Sequence, residues 1–375
     1  MVGPSLAYDS KHALNAICPY FTMFPLEYPL RVLSRYKRAA PTVMDPFCGR
    51  GTTLYAARML AFPARGIDAS PVAVAIAQAK LCSVNRPAVL ALAEDYLASF
   101  PRPRVPRNEF FGRAFDGRTL RQVCAIRQGL LADGDKSQRA VVLRAVMLGA
   151  LHGPTADSLS EQAYLSNQMP RTFSTKPNYS IKYWRKHRLR APPVAVINVL
   201  DRRLRRIGDT SAPARYDHRH VRLGDSTEAG SIPAASRDFS VVVTSPPYYG
   251  MVTYVQDQWL RTWFLGGPTR PAYGNRNQLE HTGPAVFAES LGAVWRNLAK
   301  SRCDDLHMYV RFGVIPSSAV NPKELIQESL EASDTDWKVK SVRLANTAEA
   351  GKRQALHMAA ASKAVAEYDF YIVRT

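Results

Sequence analysis

Cysteine is scarce in this sequence, and its placement excludes two common uses. The 375 residues include five cysteines, with no Cys-x-x-Cys pair and an odd total. This pattern predicts neither a disulfide framework nor a zinc site. The segment Asp217-His218-Arg219-His220 has metal-binding residue types but no partner cluster, so we expect no metal. The cysteines are Cys18, Cys48, Cys82, Cys124 and Cys303.

Long hydrophobic runs are also absent. The longest apolar stretches are too short to cross a bilayer, and Met1 is not followed by the basic segment that begins a signal peptide. We therefore expect no membrane partner and a cytoplasmic location.

Two glycine motifs that hold phosphate groups, Gly-x-Gly-x-x-Gly and Gly-Lys-Ser/Thr, are missing. In their place, an apolar segment at 42–44 leads into a turn that contains Gly49 and Gly51, and helical residues follow from Leu54. The two glycines let the backbone approach a ligand closely. The sequence therefore predicts a strand, a ligand-binding turn and a helix, without a site for a dinucleotide or triphosphate.

A second strand and helix follow this turn. The short strand at 65–68 ends in Asp68, and an alanine-rich helical segment covers 72–81. Asp68 follows Asp45 by 23 residues. This is close to the roughly 20-residue offset at which a carboxylate meets ribose hydroxyls in βαβ nucleotide sites. The pattern indicates a nucleoside pocket.

Acidic residues are few compared with basic ones. Asp and Glu total 31 against 50 Lys and Arg, which gives a formal net charge of +19. An excess of this size favours a polyanionic partner, because each phosphate contact releases counterions. Basic residues are concentrated in the segment from 171 to 206, where Asp201 is the one acidic residue. Its basic residues are Arg171, Lys176, Lys182, Arg185, Lys186, Arg188, Arg190, Arg202, Arg203, Arg205 and Arg206.

Aromatic residues are interleaved with these charges, as a nucleic-acid-binding face requires. They are Phe173, Tyr179, Tyr183 and Trp184. The alternative is a solvated basic helix whose aromatic side chains pack inward. We predict DNA contacts from Arg171, Lys176, Lys182, Arg185, Lys186 and Arg188.

A proline-rich turn follows the apolar run at 239–243, which predicts a buried strand. The turn is Thr244-Ser245-Pro246-Pro247-Tyr248. Paired prolines fix two φ angles and offer no N–H groups, so nearby carbonyls are held as free acceptors. Ser245 adds a hydroxyl acceptor, and Tyr248 adds a flat face for stacking. The turn suits an amino group on a planar ring, although a proline-rich loop closing a core strand is the alternative.

Together these motifs resemble those of S-adenosylmethionine-dependent DNA amino-methyltransferases. The turn Asp45-Pro46-Phe47-Cys48-Gly49-Arg50-Gly51-Thr52-Thr53 is similar to the family's cofactor loop, with Arg50 at a usual serine position. Thr244-Ser245-Pro246-Pro247-Tyr248 matches its catalytic motif. The segment Cys18–Leu26 resembles the part that closes over the methionine end of the cofactor, and Leu223-Gly224-Asp225-Ser226 resembles the acidic strand end near the adenine.

The resemblance implies an α/β fold, a doubly wound Rossmann-like methyltransferase sheet, with S-adenosylmethionine as cofactor and double-stranded DNA as partner. It is also compatible with a cognate restriction endonuclease as a second partner. It implies that Ser245, Pro246, Pro247 and Tyr248 are catalytic. The residues that it implies for cofactor binding are Phe24, Asp45, Pro46, Phe47, Gly49, Gly51, Thr52, Asp68, Asp225 and Thr244.

The cofactor loop precedes the catalytic motif here, whereas the commonest family members with this motif have the reverse order. The chain therefore resembles a circular permutant, which compact domains tolerate. We predict a cofactor-binding half at 1–85, a helical, basic insertion for DNA target recognition at 86–214, and a catalytic half at 215–375. Helical spacing at 120–131 and 138–151 supports the insertion, after prolines at 101, 103 and 106.

Strands are further predicted at 306–312 and 368–373, similar to the terminal hairpin of this fold. Trp259, Trp263 and Phe264 have helical spacing and are expected in the core rather than on a base.

The cysteine pattern bears on the chemistry too. Methylation of a pyrimidine ring carbon requires a thiolate nucleophile, and no Pro-Cys pair ends the catalytic strand. An exocyclic amine is the better acceptor: Ser245 and the Pro246 carbonyl would orient its N–H bonds, after the base flips out and stacks on Tyr248. Serine at the first motif position resembles the cytosine-N4 group. Adenine-N6 methylation and a nonenzymatic DNA-binding protein with a degenerate fold are the alternatives.

Overall fold

The computed structural model describes residues 13–20, 25–134, 136–154, 156, 158, 161–169, 176–212, 216–250, 258–271, 279, 282–314, 318, 320–345 and 366–374. The chain forms two compact units. The helical unit comprises Met1–Phe21, Gln78–His218 and Tyr254–Gly274. The sheet unit comprises Thr22–Ala77, Arg219–Thr253 and Asn275–Thr375. The insertion predicted at 86–214 thus falls within the middle segment of the helical unit, and its role in target recognition stays a prediction.

In chain order the strands are β1 (Val43–Asp45), β2 (Ala64–Asp68), β3 (Val221–Leu223), β4 (Val241–Thr244), β5 (Leu306–Gly313), β6 (Trp337–Leu344) and β7 (Glu367–Arg374). The α-helices are α1 (Glu27–Leu33), α2 (Thr52–Met59), α3 (Pro71–Ala79), α4 (Arg86–Ser99), α5 (Glu109–Ala114), α6 (Gly117–Asp133), α7 (Gln138–Ala150), α8 (Pro177–Lys186), α9 (Val196–Ile207), α10 (Trp259–Phe264), α11 (Pro284–Leu298) and α12 (Pro322–Ala332).

The sheet has the strand order β3-β2-β1-β4-β5-β7-β6. The first five strands in this order are parallel, whereas β7 is antiparallel to both of its neighbours. The fold is therefore α/β with the doubly wound, Rossmann-like sheet that the sequence predicted. Its central strands are apolar because both faces are covered, and every residue of β1 and β4 is buried.

The direction in which successive strands are added to the sheet reverses between β1 and β4, although these two strands are parallel. From β1 the chain builds outward through β2 to β3, and after the return it builds the other way from β4 to β5. In open α/β sheets, ligands bind at the carboxyl ends of the strands beside such a switch point. Asp45 ends β1 and Thr244 ends β4, so both predicted motifs begin at this position.

The core of the sheet unit packs α11 and α12 against the sheet. Phe287 and Trp295 of α11 are fully buried with Phe312 of β5. The indole N–H of Trp295 donates to Ser329 Oγ of α12 at 2.9 Å, which satisfies its polar atom within the core. Truncating an aromatic residue at such a position costs about 3–5 kcal/mol. This packing holds the strands that carry the catalytic turn.

The predicted terminal hairpin needs a correction. The segments at 306–312 and 368–373 are strands, β5 and β7, and they pair antiparallel. However, the sequence prediction missed β6, which lies between them in the chain and is the second partner of β7. This edge strand alternates apolar residues with Lys338, Lys340 and other polar residues, a composition that protects a free sheet edge but weakens the strand signal.

The helical unit has its own core. The helices predicted at 120–131 and 138–151 are confirmed as α6 and α7, whereas α4 was not predicted. Trp259, Trp263 and Phe264 are buried, as expected, and the two tryptophan rings pack with Phe111 at centroid distances of 5.9 and 4.5 Å.

The structure also describes the cysteines and the length of the helices. The five cysteines all lie in the described ranges and form no disulfide, and four of them are buried. Every helix within the described ranges is too short or too polar to cross a membrane.

Candidate active site

A hydrogen bond joins the two predicted motifs at the switch point. Thr244 Oγ1 donates to Asp45 Oδ1 at 2.7 Å, and both residues are completely buried. The Phe47 N–H donates to the same oxygen at 3.1 Å. Burial raises the pKa of Asp45 to about 7, and these hydrogen bonds only partly oppose that effect. Hydrogen bonds to Asp45 thus join the end of β4 to the start of the loop that follows β1.

The second carboxylate oxygen of Asp45, Oδ2, has a different hydrogen-bonding environment. Asp45 Oδ2 is buried, and no residue in the described part of the chain donates a hydrogen bond to it. Thr53 lies nearby: its hydroxyl donates to the carbonyl of Val243 at 3.1 Å, and its interaction with the Asp45 carboxylate lowers the pKa of Asp45. A buried acceptor without a donor costs free energy, so Asp45 Oδ2 is suited to a donor or a cation from a ligand.

The cofactor loop contains two glycines in the left-handed region. Gly51 has φ of +77°, and a Cβ there would lie 2.8 Å from the Cβ of Ala77, so the loop packs closely on α3. Gly49 has φ of +50°, but nothing lies within 4 Å of a Cβ built there. The space beside Gly49 is therefore open to a ligand, whereas Gly51 is required by packing.

Asp68 fixes this loop from the end of β2. Its Oδ2 accepts the Gly49 N–H at 2.8 Å and its Oδ1 accepts the Ser70 N–H at 2.9 Å. Burial raises the pKa of Asp68, and the two backbone N–H groups oppose the shift. Each carboxylate oxygen retains a second acceptor position, as a ribose contact requires.

Asp225 follows β3, the neighbour of β2. The register pairs Asp68 with Leu223, so Asp225 lies two residues beyond the partner of Asp68. Its Oδ1 accepts hydrogen bonds from the N–H and the hydroxyl of Thr227 at 2.9 and 2.7 Å. Next to it, Ser226 Oγ donates to the carbonyl of Pro46 at 2.6 Å. The ends of β3, β2, β1 and β4 thus carry Asp225, Asp68, Asp45 and Thr244 along one edge of the sheet.

The remaining predicted cofactor residues vary in exposure. Thr52 is buried at the first residue of α2, and Phe47 is partly buried against the core of the sheet unit. Arg50, at the position where serine is usual, is also buried. Phe24 lies outside the described residues.

The catalytic turn lies against β5. Pro246 is buried, and Ser245, Pro247 and Tyr248 are half-buried. The ring of Tyr248 meets Phe312 edge-on, with centroids 5.9 Å apart and planes at 77°. Tyr249 forms a parallel bridge with Val314, just beyond β5. The turn therefore continues the β4–β5 pairing and is held by the core.

Sequence reasoning missed one side chain at this turn, Glu367. The Glu367 carboxylate and the Ser245 hydroxyl both influence the ionisation of the Tyr248 hydroxyl. Burial, followed by the charge of Glu367, raises the pKa of Tyr248 well above its usual value. Glu367 is the first residue of β7 and pairs with Gly313 of β5. It is 119 residues from Tyr248 in sequence. Only the pairing of β7 with β5 could have revealed it.

A charge pair lies next to Glu367 along the same strands. The guanidinium of Arg311 donates to both oxygens of Asp369 at 2.7 and 2.9 Å and lies 4.1 Å above the Tyr28 ring. Burial alone would lower the pKa of Arg311, but the hydrogen bonds and charge of Asp369 outweigh it and raise the pKa. This bidentate pair fixes the ends of β5 and β7 beside the catalytic turn.

The basic helix α8 belongs to the helical unit. Lys176, Lys182, Arg185, Lys186 and Arg188 are exposed, whereas Arg171 and Phe173 lie outside the described residues. DNA contact by any of them stays a prediction.

One of these charges is already neutralised. Arg185 donates to both oxygens of Glu109 at 2.6 and 2.7 Å, and Arg113 shares that carboxylate. Their hydrogen bonds lower the pKa of Glu109. Trp184 is buried and donates to the Gln168 carbonyl at 2.6 Å, so this aromatic residue packs inward, as in the alternative interpretation. Tyr179 is 54% exposed and remains available for stacking.

Two of the cavities in the described part of the chain lie outside the candidate site. One of about 490 Å³ in the helical unit is lined by residues that include Asn198, Arg202 and Arg205. Another of about 150 Å³ in the sheet unit is lined by residues that include Arg65, Arg222 and Ser236. No predicted catalytic residue lines either one, so the candidate site rests on the carboxyl edge of the sheet.

Comparisons with known proteins add the following. No protein-family model and no curated protein matches the sequence. Two solved structures of the rRNA methyltransferase aviRa from Streptomyces viridochromogenes, at 1.5 and 2.4 Å, are similar to this chain. Each has 13% sequence identity and a TM-score of 0.35 over 99% of this chain and 94% of theirs. The fold assignment therefore rests on the strand order and register of the sheet.

Proposed function

We propose that the protein is an S-adenosylmethionine-dependent DNA methyltransferase that methylates the exocyclic amino group of a flipped-out cytosine. The observation that carries this proposal is the hydrogen bond from Thr244 to Asp45 at the switch point of the sheet. It places the Ser-Pro-Pro-Tyr turn beside the glycine loop, as methyl transfer from a nucleoside cofactor to a planar amine requires.

The residues present fit the proposed cofactor. S-adenosylmethionine supplies a methyl group on a cationic sulfonium and also carries an ammonium group. Asp45 Oδ2 is a buried acceptor with no donor in the described residues, and a cation beside it would favour its ionised form. The open space at Gly49 allows a ligand to approach the loop backbone. Asp68 and Asp225 keep acceptor positions for hydroxyl and amino groups at the adjoining strand ends.

The catalytic turn supplies alignment rather than a nucleophile. The Ser245 hydroxyl and the Pro246 carbonyl are acceptors that would orient the N–H bonds of the target amine, and the buried Pro246 keeps this geometry fixed. The Tyr248 ring offers a stacking face for a base that has left the duplex. Serine at the first motif position favours cytosine over adenine in the family that the motif resembles.

The net charge of +19 and the exposed lysines of α8 support DNA as the substrate. Recognition of a specific site, and a partner endonuclease, are part of the same proposal.

The proposal is tested by incubating the protein with plasmid DNA and cofactor that carries a deuterated methyl group, followed by nucleoside mass spectrometry. We expect labelled N4-methylcytosine. If labelled N6-methyladenine is the sole product, the target base is adenine and the mechanism is retained. If label is found only in an RNA transcript, DNA is not the substrate.

A further inference from the structure

We propose that the smaller of the two cavities, which has a volume of about 150 Å³ and lies at the β3 edge of the sheet, binds a phosphate group. The phosphate belongs either to the DNA backbone or to a free phosphate ion, and binding measurements separate these two sources. Among the described residues, none of the predicted catalytic or cofactor-binding residues lines this cavity. The inference therefore does not rest on the proposed function.

Strand pairing places two arginines on one face of the sheet. Arg222 of β3 is in register with Ile67 of β2, so their side chains share a face. Arg65 precedes Ile67 by two residues in β2 and lies on that face as well. Ile67 packs with Ile232 in the core of the sheet unit, so the turn at 231–236 covers the same face. The cavity lies between these two strands and this turn.

The ionisable residues that line the cavity are all basic, and no carboxylate is among its described lining residues. The side chains of Ser231 and Ser236 add hydroxyl groups that can donate hydrogen bonds. A guanidinium presents its N–H donors in a planar fork that matches two oxygens of a phosphate. This lining therefore favours a phosphate over a neutral or cationic ligand. The basic residues are Arg65, Arg219, His220 and Arg222.

The arginines of strands β2 and β3 differ in their partners. Arg65 donates to both oxygens of Asp238 at 2.9 and 3.0 Å, which fixes its guanidinium and offsets its charge. Arg222 is exposed, and it has no hydrogen bond or ion pair in the described structure. Its charge is therefore available to an anion in the cavity.

Two more arginines hold the turn that forms the other wall of the cavity. Arg237 donates to the carbonyl of Ile232 at 3.2 Å, and Arg302 donates to the carbonyl of Ala234. These bonds fix the turn without a ligand and add two positive charges beside it. A wall that is already ordered loses little conformational freedom when a ligand binds.

Cavity size and charge balance both bear on the ligand. A volume of about 150 Å³ is below the roughly 300–1,000 Å³ of pockets that enclose a drug-sized molecule, so a phosphate group fits better than a whole nucleoside. The larger cavity, of about 490 Å³, is lined by Asp201, which forms ion pairs with Arg86 and Arg205. Positive charge at the larger cavity is thus offset within the protein, which makes the smaller cavity the better anion site.

Calorimetric titration of the full-length protein with inorganic phosphate, at constant ionic strength, tests the site. We expect Arg222→Gln to weaken phosphate binding about tenfold or more, because a hydrogen bond to a charged group is lost. Arg222→Lys keeps the charge without the fork and should bind with intermediate affinity. Arg343→Gln is the matched control, since Arg343 is an exposed arginine on β6, the opposite edge strand of the same sheet. It should change the affinity by less than about twofold, because salt screens a distant exposed charge.

The salt dependence of DNA binding, measured by fluorescence anisotropy, identifies the source of the phosphate. If the cavity holds a backbone phosphate, Arg222→Gln reduces the slope of log K against log salt by about 0.9, and Arg343→Gln leaves it unchanged. If free phosphate is the ligand, Arg222→Gln weakens phosphate binding and binds DNA as Arg343→Gln does. Equal binding of both phosphate and DNA by Arg222→Gln and Arg343→Gln would overturn the inference. Because both readouts are binding, an absence of methylation would contradict the proposed function alone.

Discussion

Thr244 donates a 2.7 Å hydrogen bond to Asp45 across 199 residues of sequence. The two residues end β4 and β1, the strands on either side of the switch point. Their contact makes the geometry of the cofactor loop depend on that of the catalytic turn. Within the described part of the chain one oxygen of this carboxylate has no donor, and burial raises the pKa of Asp45, which predicts a distinct dependence of stability on pH.

We predict that Asp45→Asn flattens the decline in stability between pH 5 and 8. The pKa is raised from 3.8 to about 7 in the folded state, so the folded protein binds a proton that the unfolded chain has released. This contribution is complete below pH 3.8 and is lost as pH rises through about 7. Its full size is up to about 4 kcal/mol, at about 1.36 kcal/mol per pKa unit.

Denaturant unfolding at several pH values, without cofactor, measures this effect. Asp45→Asn should be more stable than the natural protein at pH 8 and closer to it at pH 5. Glu328→Gln, which removes an exposed carboxylate, should leave the pH dependence unchanged. Asp68, whose pKa is also raised, keeps part of the decline in Asp45→Asn, so only a decline of unchanged size would show that Asp45 titrates normally.

A second prediction concerns Asp68. Asp68→Ala should weaken S-adenosylmethionine binding by about 1–3 kcal/mol, because the ribose hydroxyls lose a charged acceptor. The Gly49 N–H also loses its partner, so Asp68→Asn, which keeps one carbonyl oxygen, should bind with intermediate affinity. Calorimetric titration of the folded variants checks the order. DNA affinity should be nearly unchanged, and unaltered cofactor affinity in Asp68→Ala would exclude Asp68 from the pocket.

The sequence predicted the strands of the site because their signals are local. Apolar runs before Asp45 and Thr244, and the acid at the end of β2, identify the edge without any tertiary information. Glu367 and Glu109 were missed because each acts on a partner far away in sequence, through strand pairing in one case and helix packing in the other. Strand β6 was missed because only four of its eight residues are apolar, so its signal is weaker than that of the buried central strands.

The pairing of Arg185 with Glu109 refines the prediction for DNA binding. Replacing Lys182 and Lys186 with alanine should lower DNA affinity and reduce the slope of log K against log salt by up to about 2, or roughly 0.9 per phosphate contact. Arg185→Ala should have a smaller effect than either lysine, because Glu109 already offsets its charge. Fluorescence anisotropy at a series of salt concentrations gives the slopes.

Two variants serve as controls for this measurement. Arg118→Ala/Arg121→Ala removes two exposed charges from α6 and should change the slope less than the lysine pair. Glu109→Gln releases Arg185 and should raise DNA affinity. If the lysine pair of α8 and the arginine pair of α6 give equal slopes, the basic side chains of α8 are merely solvated and the DNA contacts lie elsewhere.

A further prediction separates the two side chains of the catalytic turn. Ser245→Ala should lower turnover by about 2–4 kcal/mol in activation free energy and leave the affinities for cofactor and DNA nearly unchanged, because the acceptor matters most as the amine pyramidalises. Tyr248→Ala should instead weaken capture of the flipped base, whereas Tyr248→Phe should keep much of that affinity through its ring. Binding to DNA with an abasic or mismatched target position measures capture, and rapid quench measures turnover.

The most direct test of the account is nucleoside mass spectrometry of DNA methylated by the natural protein and by Ser245→Ala at equal concentration. The account predicts that the label appears as N4-methylcytosine with the natural protein and falls at least tenfold with Ser245→Ala, while both proteins bind cofactor equally. Full methylation by Ser245→Ala, or no labelled base with the natural protein, would contradict it.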